Sequence, residues 1–272
     1  MMVQSASVSQ SIGFDADGNL DTASLASFAG SGDAFVKIWY DQSGNGNDLS
    51  QATTSKQPKV YDSVTGTVTE NNRPAVRFGI GFTVLETPGL DPGDNLSLLG
   101  VFTYLSTPSF QTIIGQGRGF ISPSETNTDY VIGVNSSNVY SINIQNTNIN
   151  AVRYSGTAEG TNTQTLAALY YKRNNTSQFY SNNRLAGSAN TPDYAITNNN
   201  DFNISYDSST FDLNANVQEV LVYRSDLRNN RILLENGINN YYQIYSPITN
   251  PIPDPDNDFL DFTDESVLQT QQ

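Results

Sequence analysis

The chain has 272 residues, with 27 acidic against 13 basic side chains and a formal net charge of −14 at pH 7. That balance lacks the basic footprint of a nucleic-acid binder and is repelled by anionic lipid, so neither nucleic acid nor membrane is an expected partner. The absence of Cys and His excludes disulfides, thiolate and imidazole metal sites, and Ser–His or Cys–His catalysis.

An enzyme built from this sequence works with carboxylates, and a bound metal is hard and oxygen-liganded, with calcium the first candidate cofactor. No apolar run reaches membrane-spanning length, and residues 1–10 have neither the basic start nor the apolar centre of a signal peptide. The expectation is a soluble chain, cytosolic at synthesis. Gly (20), Pro (11) and Tyr (15) are spread throughout, which suits an all-β protein with many turns.

Residues 1–11 are polar and alternating, as in an edge strand. Asp15, Asp17, Asn19 and Asp21 then place oxygen side chains at alternate positions, as calcium loops do, without the distal bidentate Glu of an EF-hand. The same stretch also reads as a turn into a helix, with Asp21 as N-cap, residues 22–28 as the body and Gly30 as the stop.

Residues 35–40 are β-branched or aromatic and predict a strand that ends at Trp39, the single Trp of the chain. The strand breaks at Ser43-Gly44 and Asn45-Gly46, dipeptides suited to left-handed turn positions. Two readings stand. In one, a core Trp leads into a loop fixed by Asp41 bonding to backbone N–H groups. In the other, Trp39 is an aromatic platform beside Asp41, Gln42, Asn45, Asn47 and Asp48, the mixture of apolar face and fixed polar groups that a sugar site needs.

Short strand-like runs follow at 59–61, 75–78, 96–105, 111–115, 130–134, 139–144, 165–171, 178–180, 203–206 and 217–223. Their regular spacing between turns predicts a sandwich or barrel, and no long helical period interrupts them. Asn182-Asn183 suits the turn of a hairpin over 178–186. Residues 228–245 then carry Ile232, Leu233, Ile238, Tyr241, Tyr242 and Tyr245 at helical spacing, which predicts a C-terminal amphipathic helix weakened at Gly237. The last 26 residues differ. They hold Pro247, Pro251, Pro253 and Pro255, then six acidic residues and no Lys or Arg. Their composition is that of a disordered acidic arm, with Phe259, Leu260 and Phe262 as candidate anchors on a partner surface.

The run Trp39-Tyr40-Asp41-Gln42-Ser43-Gly44-Asn45-Gly46-Asn47-Asp48-Leu49 resembles a loop in the catalytic domain of fungal-type α-L-arabinofuranosidases. Similar runs occur in concanavalin A-like lectin domains of bacterial surface and phage structural proteins. The likeness extends to Ile12-Gly13-Phe14-Asp15-Ala16-Asp17-Gly18-Asn19-Leu20-Asp21, Gln57-Pro58-Lys59-Val60 and Arg73-Pro74-Ala75-Val76-Arg77-Phe78. Glu219-Val220-Leu221-Val222-Tyr223-Arg224, followed by a terminal helix, resembles the end of laminin-G-like and pentraxin-like domains. The resemblance implies a concanavalin A-like jelly-roll sandwich of two antiparallel sheets. A strand and helix segment over 1–34 would lead into the sandwich over 35–246, with the arm over 247–272.

One fold hosts many functions. The resemblance brings glycoside hydrolysis, which needs two suitably spaced carboxylates. Residues 133–200 hold Glu159 and Asp193 as their only acids, in no recognisable context. A binding module needs only aromatics and amides on a rim; Tyr130, Tyr140, Tyr154, Tyr170, Tyr171, Tyr180 and Tyr194 are available, each also readable as a half-buried strand residue. A structural role in a phage virion, as head decoration or fibre, fits the Asn/Thr/Ser-rich, Cys-free composition and the arm, with an extracellular location as the alternative. The expectation is a non-enzymatic virion protein that adheres to glycans or to neighbouring subunits through a lectin-like domain, with self-association or other virion proteins reached through the arm.

Overall fold

The computed structural model describes residues 1–79, 82–91, 93–106, 110–117, 128–135, 137, 139–144, 152–191, 200–206, 213–246 and 266–270. The acidic arm's Phe259, Leu260 and Phe262 lie outside the described residues, as do Asp193 and Tyr194.

All named strand pairings are antiparallel. The N-terminal strands are β1 (Met2–Ser5), β2 (Val8–Ser11), β3 (Ala34–Trp39), β4 (Leu49–Ser50), β5 (Lys59–Asp62), β6 (Gly66–Thr67), β7 (Thr69–Glu70), β8 (Arg73–Pro74), β9 (Val76–Phe78) and β10 (Leu85–Thr87). The longer strands follow: β11 (Asn95–Tyr104), β12 (Phe110–Gly117), β13 (Thr128–Asn135), β14 (Val139–Ile144), β15 (Val152–Thr157), β16 (Thr165–Lys172), β17 (Thr176–Ser181) and β18 (Arg184–Asn190). The last are β19 (Phe202–Ile204), β20 (Ala215–Tyr223) and β21 (Ser266–Thr270). Among the described residues there are two α-helices, α1 (Thr22–Ala29) and α2 (Arg231–Tyr242). Neither is long and apolar enough to cross a membrane.

The pairings build two layers. One runs β18-β17-β16-β11-β20, with β9 and β21 sharing the far edge of β20. The other runs β15-β14-β13-β12-β19-β10-β4-β3-β1-β2. They join at a corner, where β5 pairs with both β3 and β9. The core between them takes one face of each strand: Leu98, Phe102, Leu169 and Val222 from the first layer, Trp39, Ile114, Ile132 and Ile142 from the second. This is an all-β sandwich, one of the two architectures that the strand spacing predicts and the one that the resemblance implies.

Alternation fixes the faces, and bulges reset it. In β20, Ala215 and Val217 face the core, as do Val220 and Val222. The switch of parity falls where Val101 pairs with Glu219 and Phe102 with Val217, so Gln218 is the extra residue. The opposite residues of this layer, Leu99, Val101, Leu166, Ala168, Tyr170 and Leu221, pack under Leu234, Ile238 and Tyr242 of α2. The first layer is therefore sealed on both faces.

Local sequence sets the turns. Asn182 and Asn183 adopt φ of 46° and 63°, the geometry of a tight hairpin between β17 and β18. Asn71 and Asn72 repeat it between β7 and β8, with φ of 49° and 60°. Asn71 Nδ2 then donates to the Tyr242 carbonyl at 2.7 Å and so satisfies the end of α2.

Candidate functional site

The Trp39–Leu49 stretch forms the loop of the β3–β4 hairpin, and its polar groups close on the loop itself. Asp41 Oδ1 accepts from the Ser43 N–H at 2.8 Å; Oδ2 accepts from the Ser43 hydroxyl at 2.8 Å and the Asn47 N–H at 3.0 Å. Asp48 Oδ1 accepts from the Asp41 N–H at 2.9 Å. Two carboxylates thus replace the ladder partners that the loop N–H groups lack. Gly44 and Gly46 take φ of 82° and 76°, which admits the tight path.

Trp39 is 1% exposed and sits opposite Leu49 in the core. The platform role for its ring is therefore corrected, because alternation turns it inward and neither ring face is open. Gln42 and Asn45 are exposed, while Asp41, Asn47 and Asp48 are half-buried. Gln42 Nε2 donates to the Tyr40 carbonyl at 2.9 Å and Asn45 Nδ2 to Ser43 Oγ at 3.0 Å, which leaves a fixed polar rim. Tyr130, Tyr140, Tyr170 and Tyr171 are likewise buried.

The predicted calcium positions separate. Asp15 Oδ1 accepts from the N–H groups of Asp17 and Asn19 at 3.0 and 2.9 Å. Asn19 Oδ1 turns to Arg73 Nη1 at 3.0 Å and the Tyr241 hydroxyl at 2.6 Å. Asp21 caps α1, accepting from the Ser24 N–H at 2.9 Å and the Ser24 hydroxyl at 2.5 Å; the Ser24 hydroxyl in the main holds its carboxyl below the usual range. The side-chain oxygens of Asp15, Asn19 and Asp21 thus serve different local partners. Among the described residues, no three acidic side chains gather as a metal set.

The second layer differs from the first on its outer face. Phe202 and Ile204, Tyr130 and Ile132, and Ile142 and Ile144 point into the core. Asn203 and Val131, between the first two pairs, lie on the opposite face and are themselves buried, 4% and 1% exposed. Strand register aligns a row across six neighbouring strands and into a seventh: Ser50, Glu86, Asn203, Gly115, Val131, Asn143 and Arg153. A second row holds Thr112, Gly133, Ser141 and Ser155. Gly115 is required, since a Cβ there would meet the backbone of Tyr130 and Val131. Asn203 Oδ1 and Thr112 Oγ1 are buried with no hydrogen-bond partner among the described residues. Ser50 directly follows the polar loop, so loop and face are continuous along β4. Sequence reading missed Glu86, Thr112 and Asn203. The alternation Phe202-Asn203-Ile204 holds the signal, but only strand register gathers the row.

Two further acids, Glu219 and Glu235, lie under α2, 5% and 1% exposed. Tyr170 and Arg231 bond Glu235 at 3.0 Å each. Glu235 is itself part of α2, and both acids are buried between that helix and the sheet.

By fold the chain is a concanavalin A-like sandwich. Among solved structures, it is similar to an arabinofuranosidase complexed with arabinofuranosyl-α-1,2-xylobiose, at 16% identity and TM-score 0.59 over 92% of this chain and 61% of that one. It is also similar to a GH54 α-L-arabinofuranosidase soaked with a cyclic sulfate inhibitor, at 16% identity and TM-score 0.59 over 86% of this chain and 58% of that one. A botulinum neurotoxin serotype D binding domain matches at 11% identity and TM-score 0.50 over 75% of this chain and 51% of that one. The chain thus spans about three fifths of the arabinofuranosidase structures it matches. No family profile matches it. No curated protein matches it.

Proposed function

We propose that the chain is a non-enzymatic glycan-adhesion domain of a phage virion structural protein, a head decoration or fibre protein or a tail fibre, located in the virion. The exposed rim of the Trp39–Leu49 loop is its glycan surface, with exposed Ser50 and Glu86 on the strands beside it. The observation that carries this reading is that Gln42 and Asn45 are exposed and are held by the Tyr40 carbonyl and Ser43 Oγ, which fixes their amides at the surface as polar partners for sugar hydroxyls. Support also comes from the fold, shared with an arabinofuranosidase that holds an arabinosylated xylobiose. The Trp39–Leu49 loop, the arm and the composition favour a virion protein whose arm reaches neighbouring virion subunits.

The test is a glycan array followed by calorimetry with arabinosylated xylo-oligosaccharides. Binding that falls at least tenfold in Gln42→Ala or Asn45→Ala, at unchanged Tm, is the expected result. A chain that binds no glycan overturns the adhesion reading. A second reading, glycoside hydrolase, rests on the likeness to arabinofuranosidases. Release of nitrophenol from 4-nitrophenyl α-L-arabinofuranoside would replace the first reading with this one.

A further inference from the structure

Asn-Gly occurs twice in the sequence, at Asn45-Gly46 and at Asn236-Gly237. Asparagine is a labile residue, and before glycine it is most so, because the glycine nitrogen can reach the side-chain amide and no Cβ stands in its way. The attack needs an accessible amide and a glycine N–H that is not tied into a ladder. The fold treats the two sites oppositely. Asn236-Gly237 lies inside α2, where the helical ladder occupies the Gly237 N–H and fixes the dihedrals. Asn45-Gly46 lies in the β3–β4 loop, and Gly44, Asn45 and Gly46 are all exposed. The bonds that fix this loop fall on the N–H groups of Asp41, Ser43, Asn45 and Asn47. The Gly46 N–H stays out of that scheme and has no hydrogen-bond partner among the described residues.

We propose that Asn45 is a self-modification site, at which the folded chain converts this asparagine to a mixture of isoaspartate and aspartate without an enzyme. The Gly46 nitrogen gives up its proton to water and bonds to the Asn45 amide carbon. The bond from that carbon to Nδ2 breaks, and Nδ2 takes up a proton and leaves as ammonia. The ring that remains is a succinimide. Water then opens it at one of its two carbonyls. Opening at the side-chain carbonyl gives aspartate, and opening at the main-chain carbonyl gives isoaspartate, whose backbone runs through the former side chain. Water is the only co-reactant, and nothing is oxidised or reduced. Asn45 Nδ2 donates to Ser43 Oγ at 3.0 Å, and the Ser43 hydroxyl donates to Asp41 Oδ2 at 2.8 Å. Either product removes that N–H donor and sets a new carboxylate beside the Asp41–Ser43 pair. The chemistry does not rest on the glycan reading, although it turns one amide of the proposed rim into an acid.

The test compares the full chain held folded in mildly alkaline buffer with the same chain unfolded in guanidinium chloride. Peptides covering both Asn-Gly pairs are followed by mass spectrometry for the change from amide to acid, and isoaspartate is counted by enzymatic methylation. In the folded chain, Asn45 should convert at least tenfold faster than Asn236, with isoaspartate the larger product. In the unfolded chain the two sites should convert at similar rates, which assigns the contrast to the fold. The rate at Asn45 should rise with pH, because the Gly46 nitrogen must lose its proton. Asn45→Gln enlarges the ring to be closed and should slow conversion at that position at least tenfold, at unchanged Tm. An Asn45 that keeps its amide in the folded chain while the unfolded chain reacts overturns the proposal. Equal conversion of Asn45 and Asn236 in the folded chain overturns it as well. These readouts hold whether or not any sugar binds, so failure of the glycan reading leaves them untouched.

Discussion

The hydroxyl of Tyr170, from β16, donates to Glu235 Oε1 of α2 at 3.0 Å, with both groups buried. The other carboxylate oxygen accepts from Arg231 Nη1 at 3.0 Å, and the Arg231 guanidinium lies 3.9 Å from the ring centroid of Tyr180. The terminal helix is thus bound to the sheet through a polar network set in an apolar face, and that network carries a pH dependence.

Burial raises Glu235 from 4.5 to about 7 despite Arg231, and raises Glu219 from 4.5 to about 8, opposed only by the Tyr242 hydroxyl. The folded chain therefore holds protons that the unfolded chain has released. The sign follows: this stability is full below about pH 4.5 and is lost as pH rises through 7 to 8. At the acid end, Asp21, Asp33 and Asp62 are held low in the folded state, so their contribution fades as pH falls below the usual carboxylate range. Melting curves should place the maximum near pH 5, with Tm roughly 5–10 °C lower at pH 9. Glu219→Gln should flatten the alkaline limb. A flat profile from pH 5 to 9 in the unmodified chain would refute this.

Asp41 holds its loop through three hydrogen bonds, so Asp41→Ala should cost about 2 kcal/mol in denaturant unfolding. The exposed Gln42→Ala and Asn45→Ala changes should stay within about 0.5 kcal/mol. An Asp41→Ala chain as stable as the parent would mean that the loop is held by something else.

Asp21→Ala removes the α1 cap and should cost roughly 1 kcal/mol. The loss should be equal with calcium and with a chelator, measured by the same unfolding curves. A loss confined to calcium-containing buffer would return the loop to the metal reading.

Gln218 is fully buried at the β20 bulge, where Nε2 donates to the Glu70 carbonyl at 3.1 Å and Oε1 accepts from Gln164 Nε2 at 2.5 Å. Gln218→Leu keeps the volume but strands these partners, and should cost about 2–3 kcal/mol. A neutral result by chemical denaturation would show that they find other partners.

Much of the scaffold was legible. Ten strand-like runs, the α1 helix with Asp21 before it and Gly30 after it, the Asn182-Asn183 hairpin and the helix after Tyr223 all follow from local alternation, turn chemistry and helical spacing. The first hairpin, β1–β2, was less clear because β2 is wholly exposed and has no apolar face to announce it. β21 was hidden because a short strand in an acidic stretch has no local signal and is defined by the edge it meets.

The candidate site was legible only in part. The density of polar groups in the Trp39–Leu49 loop is visible in the string, but which of them stay available is not. Trp39 turns inward because β3 alternates, and Asp41 and Asp48 turn onto the loop because its N–H groups lack partners. The glycine and amide row draws on strands more than a hundred residues apart, so no window of sequence contains it.

The sequence by itself determined the class of architecture, the turns and the chemistry ruled out by missing Cys and His, because these depend on residue type and near neighbours. Only the tertiary structure decided which face of each strand met the core, since bulges in β12 and β20 shift parity in a way that pairing alone reveals. It also decided that one sheet face is sealed by α2, and that Val220 to Tyr223 take β21 at their edge.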